Sequence, residues 1–162
     1  ATHLHFTADE QLLCTGWEAA MQTDPANGLP FLQPDYVAQA ACDVFLTDDM
    51  IRAIVKRGGV IGAVFYDRFL ISRRTLEKRR ATLADVMNHV KHICDLAGDC
   101  DHVGLGTDFD GGLGREQIPH EIKTATDLGK VKEAASIAGF TAADTRKLIK
   151  GNWLRYFRSQ LR

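Results

Sequence analysis

The sequence predicts an α/β fold built on parallel strands, and three observations carry that prediction. Two uninterrupted apolar runs of strand length stand at residues 60–66 (VIGAVFY) and 102–106 (HVGLG). Segments of helical periodicity flank and separate them, and this alternation of strand and helix is the pattern of parallel crossover units. Polar and acidic residues follow each run at once, and in parallel sheets chemistry collects at the carboxyl ends of the strands.

Taken in order, Thr2–Phe6 reads as a short strand and Asp9–Met21 as a helix capped by Thr7. Residues 22–34 read as loop, broken by Pro25, Gly28, Pro30 and Pro34, with Phe31 and Leu32 as a strand remnant. Thr47, followed by Asp48 and Asp49, caps a helix whose Met50, Ile51, Ile54 and Val55 share a face, and Gly58–Gly59 stops it. The clearest helix carries Leu83, Val86, Val90, Ile93 and Ala97 at spacings of three and four and ends at Gly98. After the second strand comes a Gly- and Pro-bearing loop, then a helix near 126–138 closed by Gly139. Thr141 and Asp144 resemble a capping box opening the next helix. Asn152 is expected to cap a last helix bearing Trp153, Leu154, Tyr156, Phe157 and Leu161.

With 162 residues, 45% hydrophobic and 25% charged, the chain has the composition of an ordinary globular protein, which excludes a disordered, collagen-like or disulfide-scaffold class. It is read as a single domain, and Ala1 in place of an initiator Met points to processing or truncation. No apolar run reaches the length of a membrane span. The net charge of −1 conceals a division: residues 1–51 hold acids and no Lys or Arg, so all 20 basic residues follow. The basic extreme, 52–80, includes Arg73–Arg74 and Lys78–Arg79–Arg80. No aromatic side chain interleaves with that cluster to stack on bases, so a solvated helix and loop is preferred and no nucleic-acid partner is expected. Cys14, Cys42, Cys94 and Cys100 form no CxxC pair and are read as reduced, which implies a cytoplasmic chain.

The residues at the strand ends are the candidates for chemistry. Asp108 and Asp110 lie in GLGTDFDGG, where carboxylates hold a metal, move a proton or simply fix a tight turn. Tyr66 and Asp67 close the earlier run. His3 and His5 are two apart, so on a strand both imidazoles point to one face and can reach one zinc ion. His89 and His92, flanking the apolar stripe of the long helix, are read as structural. No GxSxG, Walker or HExxH pattern occurs, and the glycines near 104–112 do not make GxGxxG.

These motifs resemble one family. HVGLGTDFDG (102–111) is similar to the signature of the membrane (renal-type) dipeptidases, zinc enzymes built on a barrel of eight strands and eight helices. TDDMIRAIVKRGGVIG (47–62) is similar to the helix and strand that precede it there. The helix with His89 and His92 resembles the family's DHxxHI helix, with Asn88 in place of Asp, and GNWLRYF (151–157) its GNxLRxF helix. The resemblance covers 45–162 and leaves 1–44 divergent. Since a complete barrel takes roughly 250 residues, it implies a partial barrel of the TIM type, the C-terminal strands and helices.

The resemblance also implies an activity: hydrolysis of dipeptides, including those with a D-residue second, at two zinc ions bridged by a glutamate and a hydroxide. It implies that Asp108 is the carboxylate that hands a proton to the leaving amine, that Tyr66 lies near the substrate, and that His3 is a metal ligand with His5 as a substitute. Here the chain departs from the family, because the HxD pair and bridging glutamate have no counterpart in it. Between His3 and Ile51 no Arg or Lys is present to grip a substrate carboxylate. The alternative reading is a non-catalytic half-barrel that associates with itself or with a partner chain through an uncovered sheet edge.

Overall fold

The computed structural model describes residues 22–23, 30–31, 46–109 and 112–161. The expected strand at Thr2–Phe6, the helix at Asp9–Met21, and His3, His5, Cys14, Cys42 and Asp110 lie outside them. The chain divides into two compact units, the smaller being His5–Phe45 and the larger containing Leu46–Arg162. In the smaller unit β1 (Gln22–Thr23) pairs antiparallel with β2 (Pro30–Phe31), so the segment expected as loop holds a short hairpin.

The larger unit is built on β3 (Ile61–Ala63) and β4 (Val103–Leu105), paired in parallel with Ile61 opposite Val103 and Ala63 opposite Leu105. Parallel strands need a crossover, and the chain between them supplies α2 (Asp67–Leu70), α3 (Arg73–Leu76) and α4 (Leu83–Ala97). Before β3 stands α1 (Asp48–Lys56), whose Thr47 hydroxyl accepts from the Met50 N–H, as the sequence predicts. After β4 come two 3₁₀ turns, then α5 (Lys130–Ile137), α6 (Ala142–Arg146) and α7 (Asn152–Gln160). The paired segments are shorter than the apolar runs that announced them. The result is a mixed α/β unit with a small parallel sheet.

Alternation along the strands decides which face is dry. Ile61, Ala63 and Val103 point to the same face, where each is at most 3% exposed, and α4 packs there with Val86, Val90 and Ile93. Burying side chains of that size contributes about 1.5–3 kcal/mol each. The opposite face carries Gly62, Gly104 and Gly106. α4 starts at a reciprocal capping box of Thr82 and Asp85 and stops at Gly98, which takes the left-handed conformation (φ 79°) that glycine adopts without strain.

On α4, His89 Nε2 bonds to the Leu70 carbonyl at 2.9 Å and His92 Nε2 to Asp48 Oδ1 at 2.9 Å, contacts that fit the structural or surface role expected of them. Two expectations are corrected. Asn152 does not cap a new helix. α6 runs through a π-turn (Lys147–Gly151) into α7 without leaving helical dihedrals, and Asn152 is itself helical and 2% exposed. Its amide is directed at the sheet instead. The cysteines are not all reduced either. Gly98 reverses the chain so that Cys94 and Cys100 come to a Cα separation of 4.7 Å, within disulfide range, and the two are bonded. This pair is therefore not the reduced pair of thiols from which a cytoplasmic chain was expected. Among the described residues, no helix is long and apolar enough to cross a membrane.

Candidate functional site

The two strands end side by side, and their carboxyl ends are held together by aromatic contact. Phe65, just past β3, meets Phe109, just past β4, edge to face at 5.7 Å. Tyr66 and Asp108 thus belong to the same end of the sheet. Tyr66 is half-buried, opens α2 through its backbone carbonyl, and sets its ring edge-on to Phe69 at 4.8 Å. Asp108 is exposed and has φ 57°, the one non-glycine residue among those described with a positive φ. Aspartate tolerates that conformation better than most residues, yet it is uncommon, and such positions cluster where a side chain must be aimed.

Asp108 borders a cavity of about 560 Å³, otherwise walled by apolar groups that include Leu46, Ile54, Val64, Gly62 and Trp153. A single carboxylate at the rim of an apolar cavity of this volume has the makeup of a small-molecule site. Tyr66 is not part of the wall. Sequence reasoning placed Trp153 on the last helix and did not foresee it here. Its indole lies against the glycine face of the sheet, where a Cβ at Gly104 would overlap the ring and one at Gly62 would stand 3.5 Å from it.

Trp153 and Asn152 also close one edge of the sheet. Ile61 N–H donates to His102 and Gly106 N–H to Ala63, so the carbonyls of Val103 and Leu105 face away from β3. Asn152 Nδ2 donates to Val103 at 2.7 Å and Trp153 Nε1 to Leu105 at 2.9 Å. The signal was the adjacent Asn-Trp in GNWLRYF, which the motif comparison read as family likeness rather than as a pair of donors.

Asp67, beside Tyr66, has one buried carboxylate oxygen without a hydrogen-bond partner among the described residues. Burial pushes its carboxyl above the ordinary value, against the pull of the Arg68 backbone N–H and the charges of Arg68 and Arg80. Two arginines of the basic run are internal struts. Arg79 forks onto Asp85 at 2.7 and 2.8 Å, and Arg80 donates to the carbonyls of Arg115 and Ile118.

Among the described residues, no three His, Cys, Asp or Glu side chains converge as metal ligands. A zinc site needs at least three protein ligands, so these residues do not by themselves fit a zinc centre, and His3 lies outside them.

The profile of the membrane dipeptidases, peptidase family M19, matches residues 37–161. The chain belongs to the membrane dipeptidase family. An uncharacterized protein in the pqqA 5′ region of Klebsiella pneumoniae is 32% identical over 70% of this chain and 40% of its own length. The dipeptidase AC, a metallo peptidase of family M19, superposes with a TM-score of 0.56 at 33% identity, over 67% of this chain and 30% of its own. A metallo peptidase from Rhodobacter sphaeroides, liganded with a phosphinate mimic of the dipeptide L-Ala-D-Ala, superposes with a TM-score of 0.57 at 25% identity. That likeness covers 94% of this chain and 46% of the other. The chain thus spans less than half the length of each of these relatives. The match to the family begins at residue 37, somewhat before the segment whose motifs announced it.

Proposed function

We propose that this chain is the C-terminal portion of a metal-dependent dipeptidase barrel, with a role in hydrolysing dipeptides, including those with a D-residue at the second position. The observation that carries the reading is the family match combined with Asp108, left-handed and exposed at the rim of a cavity at the strand ends. The Rhodobacter relative, liganded with a mimic of L-Ala-D-Ala, supports the substrate class. Zinc as the metal, His3 as one ligand, and a single domain over 1–162, divergent before the family match and family-like from there on, belong to the same proposal.

Asp108 acts as the proton carrier. A carboxylate accepts a proton from the attacking water and returns it to the leaving amine, and it must reach both without moving its backbone. The left-handed turn fixes that backbone, and the apolar wall beside it offers a surface for the substrate's side chains. Tyr66, at the same end of the sheet but outside the cavity wall, would meet a substrate that extends beyond the cavity. The ligands of a metal would have to come from outside the described residues.

The test is hydrolysis of Gly-D-Ala by the chain, with its metal content measured in the same preparation. Turnover with bound zinc, abolished in Asp108→Asn while the metal is retained, supports the reading. No turnover and no stoichiometric metal would sink it for this chain and favour the second reading, a half-barrel that associates with itself or a partner. One observation favours that alternative: among the described residues no strand pairs with the outer edge of β3, whereas the outer edge of β4 is closed by side chains. Sedimentation at two protein concentrations would detect the association.

A further inference from the structure

We propose that the Cys94–Cys100 disulfide is a redox-responsive clasp that sets how α7 and its Trp153 sit on the sheet. Much hangs on one short turn. Cys100 offers its carbonyl to Asn152 Nδ2 at 2.7 Å, and the same amide group bonds the Val103 carbonyl of β4. Next to it, the Asp101 carbonyl accepts from Arg155 of α7 at 2.6 Å, and the Asp101 carboxylate pairs with Lys147 of the π-turn at 2.5 Å. His102 then reaches back to the Gly59 carbonyl ahead of β3 at 2.8 Å. The three residues 100–102 therefore link α7, the π-turn and the approach to β3. Besides the short backbone link through Gly98, what ties them to α4 is the bond from Cys100 to buried Cys94.

The consequence runs through Asn152. Asn152 and Trp153 are adjacent on α7, so a shift of the Cys100 carbonyl changes the anchor of one and the seating of the other. Trp153 walls the cavity that Asp108 borders. Cys94 is buried and Cys100 half-buried, so a small thiol approaches the pair from the Cys100 side. The chemistry is thiol–disulfide exchange. A thiolate of a dithiol reductant attacks one sulfur and displaces the other as a thiolate, and the reductant's second thiolate then releases the first. Two electrons and two protons pass to the cysteine pair, and the reductant leaves as its own cyclic disulfide. This inference does not rest on the dipeptidase reading.

The test uses the full chain carrying Cys14→Ser, Cys42→Ser and Trp17→Phe, so that only one cysteine pair and one indole report. Mass spectrometry after iodoacetamide is expected to show no alkylation without reductant and two adducts after dithiothreitol. Reduction is expected to shift the indole emission to longer wavelength and raise its quenching by acrylamide, and reoxidation is expected to restore both. Asn152→Ala should make the emission indifferent to redox state. Should that variant fail to fold, Cys94→Ser with Cys100→Ser must show the reduced-state spectrum with and without reductant. Alkylation of both cysteines before reduction, or emission and quenching identical in the two states, would overturn the proposal.

Discussion

Asp85→Ala is the sharpest test of how the long helix is begun and held. The Asp85 side chain is 9% exposed and serves three partners: the Arg79 fork, the Thr82 N–H at 2.8 Å and the Thr82 hydroxyl at 2.8 Å. Losing a helix-capping side chain costs about 1 kcal/mol, and hydrogen bonds to a charged group contribute roughly 1.5–3 kcal/mol. Breaking a fully buried pair costs about 3–5 kcal/mol because a bare charge is left behind. That penalty does not apply in full here, since Arg79 is 47% exposed and regains water. The expected loss at pH 7 is therefore about 2–3 kcal/mol, read as a lower urea midpoint with an unchanged slope. The pH dependence has a definite sign. Burial pushes the carboxyl up, but the hydrogen bonds from Arg79 and Thr82 outweigh it and hold the group below its ordinary value. Its contribution is complete above the unfolded carboxyl's value, about 3.9, and is lost as the pH falls through the lower folded one. The gap between the parent and Asp85→Asn should close over that acid range. A loss under about 0.5 kcal/mol for the alanine variant at pH 7, on the scale of an ordinary surface change, would refute the reasoning. So would a gap that persists undiminished at the acid end.

Asp67→Asn should behave in the opposite sense. Its carboxyl is raised by burial, so the folded chain loses stability as the pH climbs from the ordinary carboxyl value to the raised one. The amide variant should gain on the parent above that window and match it below, as thermal melts across pH would reveal. Gly104→Ala places a methyl group into the Trp153 indole and should cost about 1–3 kcal/mol by overpacking; Trp153→Leu in the same chain should recover much of that, measured as a double-mutant cycle. Ile93→Ala, at 0% exposure, should cost roughly 2–4 kcal/mol, while Ile137→Ala, at 81% exposure, should stay within about 0.5 kcal/mol; equal effects in urea melts would contradict the assignment of the core.

What could be read in the letters follows from how local each determinant is. The helix with Leu83, Val86, Val90 and Ile93 is legible because its period, its Thr82 start and its Gly98 stop all lie within one segment. Its structural histidines were legible for the same reason, as residues flanking an apolar stripe. The hairpin of β1 and β2 was not, because two residue pairs leave no periodicity to detect. Asn152 was misread because Ser, Thr, Asp and Asn at a helix start are statistically caps. Here the preceding residues are already helical, and the amide bonds the Val103 carbonyl, 49 positions away on β4, and the Cys100 carbonyl just before that strand. The Cys94–Cys100 bond was missed because spacing alone does not reveal the reversal at Gly98.

The glycines show most plainly where local reading stops. Gly62, Gly104 and Gly106 first count as part of apolar strand runs, and by side chain they seem to offer nothing to a core. Once β3 and β4 pair in register, two of the three stand opposite one another and make a flat strip of backbone, and that strip is what lets an indole lie against the sheet. The same indole, by donating to Leu105, closes the edge of β4 and borders the cavity beside Asp108. A motif match identifies Asp108 from one stretch of sequence, but the wall opposite it comes from residues 45 positions later meeting an absence of side chains. The cavity is therefore a property of the pairing register. A one-residue slip of β4 would turn Val103 and Leu105 toward Trp153 and abolish it.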